Sequence, residues 1–349
     1  MTRMNTDALE PPAQREVTAL KDNPFRLTAG SFARGEAEKF CASQADVSLR
    51  RICEAELAYY RGYPADAVKL IRDPSISEGA NGLVALYLID VITAIPLGNI
   101  SEIQTLNRML SAASEIEGIS PESKKTLEFA ALFFNILTHN REAINLPPLT
   151  LDAFAVPDEL RAMAIYAFAH YLIICGDYGR AIGLAEGTLI PLHGKCPVAE
   201  TYLSLIISIG YICRGEWTRS EFYFRNAWDA ALADRLYMPF AEHRTMLSGL
   251  LEKCLKREYP AEYKKIAELA AGYHKSWVLI HNELTGDETT DKLTVTEMNI
   301  AMLASKGLSN TEIGDFLNIS VNSVRAHLRN IFDKLEISTR KELIKFIIK

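Results

Sequence analysis

Apolar residues recur at helical intervals along most of the chain, and the pattern separates two differently built regions. In the last 57 residues the helices are short and their ends are marked. Met298, Ala301, Met302 and Leu303 outline a first helix between Thr294 and Ser305, with Thr296 and Glu297 at its start. Gly307 ends it where a left-handed cap is cheapest. Ser309 and Glu312 have the spacing of a capping box and open a second helix whose inward face is Ile313, Phe316 and Leu317. Asn318 and Ile319 make the turn. Ser320 then caps a third helix that buries Val324, Leu328, Ile331 and Leu335, which leaves Asn322, Arg325, Ala326 and Arg329 on its outer face.

From residue 31 to residue 281 the periodicity is helical nearly throughout, with no strict alternation or Gly-bounded Val/Ile run to mark a sheet. A short signal returns within it: Arg61-Gly62-Tyr63-Pro64-Ala65, Cys175-Gly176-Asp177-Tyr178-Gly179 and Arg214-Gly215-Glu216-Trp217-Thr218, with weaker copies at Gly98-Asn99 and His139-Asn140. Taken at Gly62, Gly98, Asn140, Gly176 and Gly215, the separations are 36, 42, 36 and 39 residues. A period of this size predicts stacked helix pairs, each too small to bury its apolar side alone. The region resembles tetratricopeptide repeats, although its period is longer than theirs of about 34; an irregular helical bundle is the alternative. The expected fold class is therefore all-α: a tetratricopeptide-like helical-repeat solenoid followed by a four-helix helix-turn-helix unit.

A repeat solenoid offers a concave face for a small-molecule, peptide or protein effector. Tyr166, Tyr171, Tyr202, Tyr211, Trp217, Phe222, Tyr223, Phe224 and Trp228 either line a pocket there or form core. Residues 1–30 read as a partly ordered tail. The polar stretch 282–292, NELTGDETTDK, reads as a linker, and 293–349 as the terminal unit.

Composition adds limits. The chain has 349 residues, 48% of them hydrophobic, enough for two or three domains. Its net charge of -6 opposes nucleic acid only on average. From Asp291 to Lys349 there are nine Lys or Arg against seven Asp or Glu, whereas the remainder holds 29 against 37. Acidic groups beyond a screening length of about 10 Å leave a local basic face free to meet phosphate. The six cysteines form no C-x-x-C pair and have no zinc-finger partners; they read as buried thiols of a cytoplasmic protein, with no metal site expected. The N-terminal residues have no apolar segment of a signal peptide, and runs such as Leu83–Leu97 are too short or too interrupted to span a membrane.

The outer face of the third helix has the chemistry of base recognition. Arginine donates in bidentate fashion to guanine O6 and N7, and the small Ala326 between Arg325 and Arg329 permits approach to a thymine methyl. Ser320, Asn322 and Ser323 stand near the positive helix N-terminus, suited to phosphate oxygens. Asp333, one turn past Arg329, would be repelled there, so the helix should leave the groove at its far end. His327 points partly inward and reads as a packed structural residue.

Leu293-Thr294, Glu297, Leu303, Ala304, Gly307-Leu308-Ser309-Asn310, Glu312-Ile313, Leu317, Ile319-Ser320, Ser323-Val324-Arg325, His327, Ile331, Lys334-Leu335, Ile337 and Arg340 together resemble the C-terminal DNA-binding domain of LuxR-type transcription regulators. The resemblance covers about a sixth of the chain. It implies base contacts by Arg325, Ala326 and Arg329, and backbone contacts by Asn310, Thr311, Ser323 and Arg340. It further implies a fourth helix, capped by Ser338, whose Leu343 and Phe346 sit at a dimer contact; the alternative is a simple cover for the bundle core. Two departures stand out: Thr296 where the family usually has arginine, and Gly314 where it has alanine.

No G-x-x-x-x-G-K-[ST], H-E-x-x-H or G-x-S-x-G occurs, and nothing suggests a phosphoacceptor receiver, so neither catalysis nor a cofactor is expected. Two readings follow. In the first, the chain is a transcription regulator that senses an effector with its repeats, reads a two-fold symmetric promoter site as a homodimer, and has RNA polymerase as a further candidate partner. In the second, it is a protein-interaction scaffold whose terminal unit does not touch DNA.

Overall fold

The recurring glycine signal is one backbone conformation used five times. In the computed structural model, which describes residues 25–72, 80–98, 121–144, 160–286 and 292–346, Gly62, Gly98, His139, Gly176 and Gly215 all have left-handed φ, between +55° and +83°. At four of them the next N–H reaches back five residues, Tyr63 to Ala58, Asn140 to Asn135, Asp177 to Leu172 and Glu216 to Tyr211, each at 2.9 Å. This is the Schellman closure of a helix, and it satisfies carbonyls that would otherwise be orphaned. The chain then reverses, and a second helix packs on the first. In the weak copy the left-handed residue is His139, one before Asn140, where an imidazole disguises the position.

The helices so formed are α1 (Ala37–Ala42), α2 (Val47–Tyr60), α3 (Pro64–Ile71), α4 (Ala80–Leu97), α5 (Pro121–Leu137), α6 (Arg161–Ile174), α7 (Tyr178–Leu192), α8 (Pro197–Cys213) and α9 (Trp217–Ala231). Short α10 (Met238–Glu242) and α11 (Leu250–Leu255) follow, then the long α12 (Pro260–Thr285). Helices α2 and α3, α6 and α7, and α8 and α9 form packed hairpins, and α8 also packs on α6 and α7. Among the described residues there is no strand, and no helix is long and apolar enough to cross a membrane.

An open concave face is not what these hairpins enclose. Helix α12 packs back on α4 and α10; Trp277 Nε1 donates to the Leu137 carbonyl and His281 Nδ1 to that of Thr138, both at 2.7 Å. Near the other end, Asp234 accepts from the N–H groups of Gly35 and Ala37 at 2.7 and 2.9 Å. Glu242 accepts from Tyr59 and, at 2.8 Å, from Tyr202. These long-range bonds close the array, so Tyr59, Tyr60, Tyr166, Tyr202 and Tyr273 are buried where an open stack would present a groove. The aromatic cluster is accordingly mostly core: Tyr211, Phe224 and Trp228 are buried, Tyr171, Trp217 and Tyr223 half-buried, and Phe222 exposed.

Three further points concern the tail, the linker and the cysteines. Residues 25–30, the end of the partly ordered tail, pack into the fold, with the Leu27 and Thr28 N–H groups on the buried Glu56 carboxyl at 2.6 and 2.8 Å. The helix before the linker runs on through Thr285 to a left-handed Gly286, so 282–285 are helix; residues 287–291 of the expected linker lie outside the described residues. Cys41, Cys53 and Cys254 are buried, but Cys196 and Cys213 are half-buried and Cys175 is exposed.

The terminal unit contains α13 (Val295–Ser305), α14 (Asn310–Leu317), α15 (Val321–Leu335) and a 3-10 helix, Arg340–Lys345. Its first cap is Thr294, not Thr296, because a box with Glu297 needs the hydroxyl three residues earlier; both of its bonds are present. The last helix is likewise opened by Thr339 with Glu342 rather than by Ser338, and it is a 3-10 turn rather than an α-helix.

Candidate nucleic-acid interface

Helix α15 is built as its pattern demands. Ser320 Oγ accepts from Ser323 N–H at 3.0 Å, and Val324, Leu328, Ile331 and Leu335 are buried. Asn318 ends α14 in the left-handed conformation, and the Ile319 N–H closes onto the Gly314 carbonyl. Gly314 is buried against that turn; a Cβ there would lie 2.8 Å from the Ile319 carbonyl oxygen, so in this chain the turn sits too close for alanine without adjustment.

The opposite face is open. Asn322, Arg325, Ala326, Arg329, Asn330 and Asp333 are all exposed. Arg325 donates to Asn322 Oδ1 at 3.3 Å, which steers its guanidinium along the helix. The Ser320 and Ser323 hydroxyls lie 2.8 Å apart at the helix N-terminus, exposed and half-buried respectively. His327 is half-buried. The three groups expected at bases thus share one solvent-facing surface with Asn322.

The groups expected at the DNA backbone are more divided. Thr311 is exposed on the first turn of α14 beside a half-buried Asn310. Arg340 is committed internally: its Nε donates to the Ala304 carbonyl at 3.0 Å, one terminal nitrogen to Asn310 Oδ1 at 3.1 Å, and the other to the Leu308 carbonyl. Three of its five N–H donors therefore brace the loop between α13 and α14. No sequence pattern announces this, since two of the acceptors are backbone carbonyls. The two groups expected at a dimer contact differ in exposure. Leu343 is fully buried in a 3-10 helix that packs on α13, whereas Phe346 is half-buried.

Glu297 holds the bundle together. It closes the Thr294 box and accepts from Lys334 of α15 at 2.7 Å. Burial works to raise its carboxyl, but the bonds from Lys334 and Thr294 outweigh it and hold the group below the usual carboxylate range. With Thr296 in the arginine position of the resemblance, this ion pair joins α13 to α15.

The bundle is not isolated. Phe316, expected to face its interior, instead meets Trp217 of the repeats, with ring centres 4.8 Å apart, and Lys253 Nζ lies 5.0 Å from the same ring. Leu317 packs over Gly249, and Lys306 Nζ approaches Cys213 Sγ at 3.4 Å. This docking uses α14 and leaves the outer face of α15 uncovered. Among the described residues, no group of three or more His, Cys, Asp or Glu is placed to hold a metal ion.

Comparison with known proteins agrees with this geometry. Residues 291–347 match the family described as bacterial regulatory proteins, luxR family. Over 57 residues the chain is 39% identical to the response regulator protein VraR of Staphylococcus aureus, and equally to that of Staphylococcus epidermidis. The match covers 16% of this chain and only 27% of those relatives. No solved structure matches. The C-terminal segment, residues 291–347, is a LuxR-family helix-turn-helix domain.

Proposed function

We propose that the chain is a sequence-specific DNA-binding transcription regulator: α15 enters the major groove, Arg325, Ala326 and Arg329 face base edges, and Ser320, Asn322, Ser323 and Thr311 meet the sugar-phosphate backbone. The observation that carries this reading is the solvent-facing Arg325–Ala326–Arg329 surface on a capped helix whose other side is locked into the bundle. Binding as a homodimer would set two such helices about one DNA turn apart. With Leu343 buried, Phe346 is the remaining group of the expected pair for that contact. The helical hairpins, tetratricopeptide-like in their recurring turn, serve as the effector-sensing part. Their docking on α14 supports this assignment, because it joins sensor and reader without covering the reading face.

A mobility shift with fragments of the chain's own upstream region tests the proposal. Sequence-selective binding that weakens steeply with salt is expected. Indifference to duplex at low salt would instead favour the scaffold reading.

A further inference from the structure

Between the closed hairpin array and the reader lies a small cavity of about 40 Å³, lined from the repeats by His139, His243, Arg244 and Trp277, and from the reader by Met298 and Asn299. Its walls hold buried polar atoms that have no partner: His139 Nδ1, Arg244 Nε and Asn299 Oδ1. A buried polar atom left without a bond is costly, so three on residues that line one cavity favour an occupant that reaches them.

The hydrogen-bond chain behind His139 fixes what its free nitrogen offers. His243 Nδ1 lies 2.7 Å from the Pro239 carbonyl, which can only accept, so Nδ1 carries the proton. Burial pushes His243 down to about 4 and His139 to about 3, so both rings are neutral. His243 Nε2 is then a bare acceptor for the Tyr166 hydroxyl at 2.8 Å. Having given its proton there, Tyr166 accepts from His170 Nδ1 at 3.2 Å. His170, its pKa also well lowered by burial, must therefore accept at Nε2 from His139 Nε2, 3.4 Å away. The relay ends with His139 Nδ1 as an unoccupied acceptor. His139 is also the copy of the repeated turn that takes left-handed φ without glycine, a conformation that costs on the order of 1 kcal/mol. Strain of this kind is kept where a side chain has work to do.

The wall holds little net charge, since Arg244 pairs with Glu252 and burial pushes the Glu242 carboxyl up to about 7, against the bonds from Tyr59 and Tyr202. A neutral occupant is therefore favoured over an ion. We propose that this cavity binds a small neutral hydroxylated molecule, whose O–H groups donate to His139 Nδ1 and Asn299 Oδ1, whose oxygen accepts from Arg244 Nε, and whose carbon frame lies against Trp277 and Met298.

One acceptor belongs to the repeats and the other to the first helix of the reader, so such a ligand binds differently to docked and undocked arrangements and biases them. That regulatory consequence rests on the DNA-binding reading; the binding site does not. A cavity of this size takes about three or four water-sized groups, so a larger ligand must push the two parts apart.

Ethane-1,2-diol and phenol serve as probes of the full chain, read by saturation-transfer NMR and intrinsic tryptophan fluorescence without DNA. Saturable diol binding is expected, weakened roughly fivefold by Asn299→Leu, which keeps size but removes the acceptor, and abolished by Met298→Trp, which fills the space. Phenol, too large for the docked cavity, is expected to speed hydrogen exchange in α14. Circular dichroism establishes that the variants are folded. If a variant unfolds, a crystal structure of the wild-type chain soaked in diol decides. Diol on His139 Nδ1 and Asn299 Oδ1 upholds the proposal, and an ordered water there that diol does not displace overturns it. Diol binding insensitive to both substitutions, or absent, also overturns it. A separate duplex titration without ligand keeps failure of this site distinguishable from failure of the regulator reading.

Discussion

The indole of Trp217, which opens the second helix of the α8–α9 hairpin, rests on the ring of Phe316 in the scaffold helix of the reader, with ring centres 4.8 Å apart. The pair fastens the two parts of the chain at a surface that carries none of the base-reading groups. An aromatic pair of this type contributes about 1 kcal/mol beyond its buried area, so Trp217→Ala should loosen the docking. Gly249→Ala should do so independently, because its φ is +92° and an added Cβ would collide with Leu317. Hydrogen exchange should accelerate in Asn310–Leu317 in both variants while Pro197–Cys213 stays protected. Unchanged exchange would show that the ring contact does not hold the domain.

Arg325→Ala and Arg329→Ala should each cost about 1 to 3 kcal/mol in duplex binding and relax preference at one base position. Selection from a randomised operator measures this. Equal loss on all sequences would reassign the arginine concerned to phosphate.

Arg340 is expected to act on stability first. Removing a guanidinium that satisfies Ala304, Leu308 and Asn310 should destabilise the reader by about 1 to 3 kcal/mol. Thermal unfolding of Arg340→Ala beside the salt dependence of its binding separates the roles. An unaltered Tm with a salt slope reduced by about one would make it a phosphate contact.

Stability should fall as pH rises above about 6.5. Burial pushes the Glu56 carboxyl up to about 8, against the bonds from Thr28 and Leu27, and that of Glu242 up to about 7, against those from Tyr59 and Tyr202. A carboxyl raised in the fold contributes stability that is complete below its unfolded value and is lost as pH passes the folded one. The buried His139 and His243 have the opposite sign, but act only below the ordinary histidine value of about 6.5. Denaturant titrations should therefore lose about 2 kcal/mol between roughly pH 6.5 and 8. Glu56→Gln should flatten much of that slope, and a profile unchanged by it would show that Glu56 is ionised in the fold.

Residues 287–349 alone should fold and bind duplex, since the caps and the Val324–Leu335 core are internal to them. The fragment would expose Phe316 and Leu317 and should self-associate more than the full chain. Absence of helical circular dichroism would refute its independence.

What the sequence determined about this protein was set within a few residues of each position. Helix periods, the Ser309–Glu312 box, the Ser320 cap, the exposed Arg325–Arg329 face and the Gly-marked reversals were all legible, because each depends on contacts between near neighbours in the chain. Shifts of one or two residues, Thr294 in place of Thr296 and His139 in place of Asn140, occur where neighbouring groups offer similar local chemistry. Tertiary structure decided which partner each surface meets. It turned Phe316 outward to Trp217, buried Leu343, drew Arg340 into a loop and closed the hairpins over their own tyrosines. It also brought His139 and Asn299 to one cavity. Periodicity states that a face is apolar or polar. Which distant segment covers it depends on shape and on hydrogen-bond geometry between residues far apart in the chain, and no local pattern encodes that.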